Sequence, residues 1–313
     1  MILSEEYKNN IKKMFGKVGE EWLETIPDKV EKYKKIFNLD KIEVLNDLTY
    51  NFLLFAESAE YGLVVLKIEI PFEEMTIRES QALLINNGEG ACKCYYFDIK
   101  DGVLLLERLI PGISLNTIQN IDRKIEIFND VADRFNVKLD DNQGLPTYNE
   151  ILNRSILMGQ SDNRFTCIND YLSLALQYYN EILLSNDCNY LLHSDMYGDN
   201  ILLSNGQWKV IDPHGFVGPK IIDTAIFLQK ELEKNDFNNN DFDLYISKIN
   251  KHKRYHEIDL YKTLFVNYVL NICWDIEVNF DSEHINKCLK RANLIKEIIE
   301  EKEKNQIKIL KKN

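Results

Sequence analysis

The chain's main break falls at Pro111-Gly112, between a strand-rich stretch and a mostly helical one, and that division limits the folds open to it. From about residue 41 to the break, short apolar runs alternate with turn residues. Ile42-Glu43-Val44-Leu45, Asn51-Phe52-Leu53-Leu54-Phe55 and Gly62 to Ile68 read as strands. A helix is predicted over 73–87, with further strands near 92–97 and 103–109. Ahead of these, residues 4 to about 38 carry Leu23, Ile26, Val30, Tyr33 and Phe37 at helical spacing, and Pro27 is expected to split this stretch into two helices.

After the break the pattern is mostly helical. Thr147-x-x-Glu150 is a capping box opening a helix to about 157. A long helix is predicted over 169–185, a strand–loop–strand interruption over 190–213, and helices from about 223 onward. The expectation is an α+β, two-lobed chain. It has an N-terminal helical segment over 1–40, a small β-rich lobe over 41–110 and a larger helical lobe over 111–313. Ligands favour the cleft between such lobes.

Charge narrows the partners. The 313 residues carry 38 Lys+Arg against 50 Asp+Glu, a formal net charge of −12. Nucleic acids and anionic membranes both select basic surfaces, so neither is an expected partner. Residues 1–108 hold 14 basic and 20 acidic side chains, which leaves −6 on each side of that point. The acidity is spread out. It permits a cationic small-molecule substrate without pointing to one. No apolar run approaches the ~20 residues that span a bilayer, and MILSEEYKNN lacks the apolar core of a signal peptide. Six scattered cysteines without a CxxC fit a cytoplasmic chain with reduced thiols, expected to be a monomer or weak homodimer.

Chemistry concentrates in Leu191-Leu192-His193-Ser194-Asp195-Met196-Tyr197-Gly198-Asp199-Asn200-Ile201-Leu202-Leu203, followed by Trp208-Lys209-Val210-Ile211-Asp212-Pro213. The first stretch fits H-x-D-x-x-x-x-N, and the second ends a hydrophobic strand on Asp212. Phosphoryl transfer needs a carboxylate at the attacking hydroxyl, and oxygen ligands for the Mg²⁺ that neutralises the phosphates. Asp195, Asn200 and Asp212 supply these in that order, and a hard cation explains the residue types. The plainer alternative is a polar loop between strands.

Upstream, Lys67 sits in the apolar strand Val64-Val65-Leu66-Lys67-Ile68, and Glu79 lies on the next helix as its natural partner. Taken singly, each reads as a snorkelling lysine or a solvated glutamate. Their order ahead of the H-x-D loop favours phosphate positioning. The turn that would cover phosphates, Asn46 to Asn51, has no glycine, leaving backbone amides, Thr49 and Asn51 as donors. Backbone groups near Glu107 and Leu109 are expected to face an adenine ring.

These segments resemble the aminoglycoside phosphotransferase branch of the protein-kinase-like fold, and within it the streptomycin 6-kinase/hydroxyurea phosphotransferase family. That family's H-G-D-L-H-x-x-N-I-L is recognisable from His193 to Leu202, and its I-D-P-K-G-x-x-G from Ile211 to Gly218, with Asp223-Thr224-Ala225 beyond. Gly16, Gly19, Trp22-Leu23 and Pro27 resemble its N-terminal pattern, and Leu104 to Gly112 its hinge. The resemblance implies Asp195 as catalytic base, Asn200 and Asp212 as Mg²⁺ ligands, Lys67 and Glu79 as the phosphate-positioning pair, and His193 as a brace. Ser194 replaces a glycine, His214 replaces a lysine, and Tyr197-Gly198-Asp199 alters the loop.

The implied activity is an ATP- and Mg²⁺-dependent kinase, with GTP also open. It would phosphorylate a hydroxyl of an aminoglycoside, streptomycin first, as in antibiotic resistance. The alternatives are a kinase of the same fold acting on an amino alcohol, a sugar or a hydroxamate-like compound, or a catalytically silent nucleotide-binding protein. Asp199, His214, Glu231, Asp275 and Glu277 are substrate candidates, since carboxylates pair with ammonium and guanidinium groups; Glu233 and Asp236 belong to the same acidic set. For each, ordinary surface charge is the competing reading.

Other features read as structure. Cys92 and Cys94, two apart, would share a strand face but make a poor metal or redox site. His252 and His256, four apart, would share a helix face amid lysines. Tyr171 to Tyr179 looks like the core face of a helix, and Lys302 to Lys312 like a solvated, fraying one.

Overall fold

The computed structural model describes residues 3–45, 50–70, 73–161, 163–234, 239–253, 255–277 and 282–310. Thr49 and Asp236 lie outside them. The chain divides into two units, one of residues 1–114 with 201–214, the other of 115–200 with 215–313.

The first unit is built on an antiparallel sheet. Its strands are β1 (Leu39–Val44), β2 (Phe52–Ser58), β3 (Gly62–Ile68), β4 (Cys94–Asp98) and β5 (Val103–Glu107), in the order β1-β2-β3-β5-β4. Strict alternation makes the two faces different. Phe52, Leu54 and Ala56 of β2, with Val64, Leu66 and Ile68 of β3, turn to one side and are fully buried. Against them packs α1 (Glu5–Ile36), through Trp22, Ile26, Val30 and Tyr33. Each such side chain contributes about 1.5–3 kcal/mol on burial. The Trp22 indole N–H also donates to the Glu69 carbonyl at 2.8 Å.

The break in α1 falls at Gly16, whose φ of 56° leaves the helical region, while the helix runs through Pro27. This corrects the expected split at Pro27. Gly16 adopts a left-handed angle at little cost. The loss of one hydrogen bond at Pro27 is outweighed by the continuous buried stripe on both sides of it.

The opposite sheet face carries Leu53, Phe55, Val65 and Lys67, with Lys67 paired in register between Leu53 of β2 and Leu104 of β5. Helix α2 (Glu73–Asn86) connects β3 to β4. A second, three-stranded sheet, β6 (Pro111–Ser114), β8 (Ile201–Ser204) and β9 (Gln207–Val210), brings 201–214 back into this unit. Val210 accepts the Cys92 N–H at 2.9 Å, tying β9 to the segment before β4.

The second unit is helical apart from β7 (Tyr190–Leu192) and β10 (Phe216–Gly218), which pair antiparallel. Its helices are α3 (Ile121–Phe135), α4 (Tyr148–Ser161), α5 (Asn169–Ser185), α6 (Ile221–Glu233), α7 (Asn239–Lys253), α8 (Glu257–Glu277) and α9 (Ser282–Leu310). The capping box forms as expected: Thr147 N–H donates to Glu150 Oε2 at 2.6 Å, and Glu150 N–H to Thr147 Oγ1 at 3.2 Å. Helix α8 is buried on all sides from Leu260 to Cys273, apart from the partly exposed Asn271, as a central helix must be. Within Tyr171 to Tyr179 the structure buries Leu172, Tyr178 and Tyr179, while Tyr171 and Leu176 are only partly buried. His252 lies in the last turn of α7 and His256 precedes α8, so the two share no helix face. Helix α9 continues to Leu310, and Lys302 is tied to Glu257 at 3.0 Å and Asp243 at 3.1 Å.

Candidate active site

In the first unit, the sheet face opposite α1 opens on a cavity of about 440 Å³. Its walls are apolar, with Leu53, Phe55, Val65, Leu106, Leu202 and Ile211 among them. Glu107 to Gly112 form one edge, and Lys67, Glu79 and Asp212 form a polar end. Asn51 and Leu109 also line it. The Arg108 guanidinium carbon lies over the Phe55 ring, 3.7 Å from its centroid.

The polar end is a cluster of charges around one lysine. Lys67, 4% exposed, bonds to Glu79 and to Asp212, and lies 3.3 Å from Glu69 Oε1. Burial disfavours its charge, but Asp212, Glu79 and Glu69 together outweigh that and hold its pKa well above the ordinary lysine value. Glu79 is pushed well up by its own burial, against the pull of Lys67. Glu69 is a member of this site that sequence reasoning missed. The signal was its position two residues beyond Lys67. Glu69 Oε2 and Glu79 Oε1 are buried and accept no hydrogen bond, so the pocket keeps acceptors to spare.

Asp212 differs from its neighbours. Its side chain is 49% exposed, and its φ is 61°, the left-handed region. Strained backbone of this kind clusters at functional sites. His214, two residues on, is kept neutral: burial lowers its pKa to about 4, against the opposing pull of Asp212. A neutral imidazole cannot replace the cation of a lysine on a phosphate at neutral pH. Glu107 points its carboxylate at Lys209 on β9 (2.8 Å) and at the Lys93 N–H (3.1 Å).

In the second unit, the loop after β7 is held from behind. Asp223 at the start of α6 is fully buried and accepts from three donors: His193 N–H at 2.9 Å, Ser194 N–H at 2.7 Å and Asn136 Nδ2 at 2.7 Å. Burial nonetheless pushes Asp223 up to about 6. His193, also fully buried, accepts the Asp195 N–H on Nδ1 at 3.2 Å, so it braces the loop. Ser194 takes a φ of 61° and buries an Oγ that makes no hydrogen bond.

Asp195 is half-buried, and Asn200 donates its Nδ2 both to the Asp195 carbonyl (2.9 Å) and to its Oδ2 (3.0 Å). Those bonds orient the amide so that its oxygen is turned away from Asp195. Exposed Asp199 accepts from Asn116 Nδ2 at 2.5 Å, and Asn116 in turn accepts from Lys234. Lys234 also bonds Glu231, which pairs with Lys124 at 3.0 Å. Asp199 and Glu231 therefore belong to one network whose carboxylates are already matched by two lysines. Glycine at 198 lets Asn116 come this close, since a Cβ there would lie 2.0 Å from Asn116 Oδ1 and push that side chain away. Asp275, near the end of α8, faces His284 instead, at 3.5 Å. Glu277, raised by burial against the pull of Arg154 and Arg164, is likewise outside that network.

A lysine held by a helix glutamate, a strand-end aspartate beside it, and an H-x-D-x-x-x-x-N loop define a protein-kinase-like phosphotransferase. Residues 53–258 match the model of the aminoglycoside/hydroxyurea antibiotic resistance kinases, and the chain belongs to that family. It is a phosphotransferase with an alcohol group as acceptor. Solved structures share the fold. The choline kinase LicA from Streptococcus pneumoniae has a TM-score of 0.63 at 15% identity, over 87% of this chain and 98% of its own. An ethanolamine kinase from Plasmodium vivax has a TM-score of 0.65 at 13% identity, over 87% and 88%. The aminoglycoside phosphotransferase APH(4)-Ia has a TM-score of 0.59 at 11% identity, over 88% and 98%. LicA is also known in complex with AMP, and a thermostable mutant of APH(4)-Ia in a ternary complex with AMP-PNP and hygromycin B. No curated relative matches the chain. Among the described residues no helix is long and apolar enough to cross a membrane.

Proposed function

We propose that the chain transfers the γ-phosphoryl group of ATP to a hydroxyl of an aminoglycoside, with streptomycin as the first candidate. The observation that carries this reading is the Lys67 cluster at the polar end of an otherwise apolar cavity. The apolar walls suit a purine ring. The Glu107 and Arg108 amides already donate to the carbonyls of Lys93 (2.8 Å) and Leu63 (3.2 Å), so in this reading the Leu109 amide is the donor that faces the adenine.

Lys67, kept protonated by Asp212, Glu79 and Glu69 together, binds phosphate oxygens as a fixed cation. As Mg²⁺ ligands the reading takes Asn200 of the second unit and Asp212 of the first, each on its own donor chemistry: a neutral amide oxygen and a solvent-facing carboxylate, both hard oxygen ligands. Bound there, the metal neutralises phosphate charge. Asp195, fixed by its own N–H on His193 and by Asn200, orients the acceptor hydroxyl and takes its proton.

A second reading, a kinase of an amino alcohol, is favoured by the choline and ethanolamine kinases among the structures of the same fold. A coupled ADP-release assay with Mg²⁺ and ATP, run on streptomycin, other aminoglycosides, choline and ethanolamine, separates the two. Turnover of streptomycin supports the first reading. Turnover of amino alcohols without any aminoglycoside overturns it in favour of the second. The same assay with GTP fixes the nucleotide, and Asp195→Ala should abolish turnover while sparing nucleotide binding.

A further inference from the structure

Helices α8 and α9 pack so that three different metal-ligating side chains converge. His284 and Cys288 lie four apart on α9, on one face of the helix, and Asp275 meets them from α8. Cys288 Sγ is 3.6 Å from His284 Nε2, and His284 Nε2 is 3.5 Å from Asp275 Oδ2. All three ligand atoms lie within 4.8 Å of one another.

The two edges that meet at His284 Nε2 match those of a tetrahedron around zinc. Bonds of about 2.3 Å to sulfur and 2.0–2.1 Å to nitrogen and oxygen place S and N about 3.6 Å apart, and N and O about 3.3 Å apart. Asp275 Oδ2 is buried and accepts no hydrogen bond, its nearest partner in the group being His284 Nε2 at 3.5 Å. Cys288 is 3% exposed, whereas the His284 side chain is 46% exposed, so the group is sealed on one side and open on the other.

We infer that Asp275, His284 and Cys288 form a three-ligand site for a borderline-soft divalent cation of the Zn²⁺ class, with the fourth position open to solvent. An N, O and S donor set selects zinc over Mg²⁺, which prefers oxygen alone. A carboxylate and a thiolate balance the charge of the dication, and binding releases the Cys288 proton to solvent. Arg291, one turn beyond Cys288 on α9, is engaged by Glu233 at 3.2 Å, which tempers its repulsion of a cation. With three ligands and an arginine in the neighbourhood, the site binds more weakly than a closed four-ligand zinc centre. The inference is independent of the kinase substrate.

The test uses the full chain and zinc chloride alone, followed by competition with a chromogenic chelator. Co²⁺ serves as a spectroscopic stand-in. The expected result is a single bound equivalent and a near-ultraviolet thiolate-to-cobalt charge-transfer band. Both should be lost in His284→Ala and Cys288→Ser, and affinity should fall at least tenfold in Asp275→Asn. His284 is exposed enough that its replacement leaves folding intact, which keeps the test valid should Cys288→Ser fold poorly. Absence of the band in the wild type overturns the site. Zinc uptake that survives both His284→Ala and Cys288→Ser does the same, by placing the metal elsewhere.

Discussion

Asp223 accepts the backbone N–H of Ser194 at 2.7 Å, and with the His193 amide beside it this carboxylate sets the path of the loop into Asp195. Asp223→Asn places an NH₂ group against one of three donors. We expect turnover to fall about a hundredfold, the usual cost of a misplaced catalytic group, with nucleotide binding retained by calorimetry.

Asp223 also carries a pH signature. Its pKa is about 6 in the fold against an ordinary 3.8, so the amides lose a charged acceptor as pH falls through 6. Turnover should show an acid limb near pH 6. The sign for stability is opposite. The native state binds the extra proton between about pH 4 and 6, so this group's contribution declines as pH rises through that window, by at most about 3 kcal/mol.

His214 acts the other way on stability. Its folded pKa is about 4 against 6.5, so the unfolded chain binds more protons between those values, and stability falls on acidification. His214→Gln should lose less stability than the wild type between pH 7 and pH 5 in urea titrations. It should also retain the acid limb of turnover, which separates the two groups.

Removing the cation from the Lys67 cluster leaves buried carboxylates uncompensated. Lys67→Met should cost about 3–5 kcal/mol and abolish turnover, and a chevron or urea midpoint measures the first. Adding Glu69→Gln should recover part of the stability, since it removes one uncompensated acid 3.3 Å from the lost ammonium. It should recover none of the turnover.

Ser194 pays twice, in a left-handed φ of 61° and in a buried hydroxyl without a hydrogen bond. Ser194→Gly relieves both, against the greater freedom of glycine in the unfolded chain. A net gain of roughly 1 kcal/mol is expected, read as a rise in Tm with turnover unchanged.

Gly198→Ala drives a methyl into Asn116 Oδ1 and should break the Asn116–Asp199 bond. If Asp199 positions substrate, KM for the acceptor rises more than kcat falls. Asn116→Ala in the same chain should restore folding stability, because the clashing atom is gone, but not KM.

Much of this was legible in the chain itself. Alternation in Phe52 to Ile68, the capping box at Thr147 and the helical period of 169–185 each encode an element locally, because one face must be buried. The order Lys67, Glu79, Asp195, Asn200, Asp212 likewise stood in the sequence. What the sequence could not weigh was competition between distant groups. Gly16 rather than Pro27 breaks α1, because a buried stripe overrides one missing hydrogen bond. Glu69 joins Lys67 through strand alternation that becomes meaningful once the cavity face is known. Asp223 looked like part of a motif, yet its role comes from three donors on segments far apart in the chain, which only packing brings to one carboxylate. Local periodicity is written residue by residue. The partners of buried charges depend on which remote backbone and side-chain groups share their low-dielectric surroundings, and the tertiary structure alone decides that.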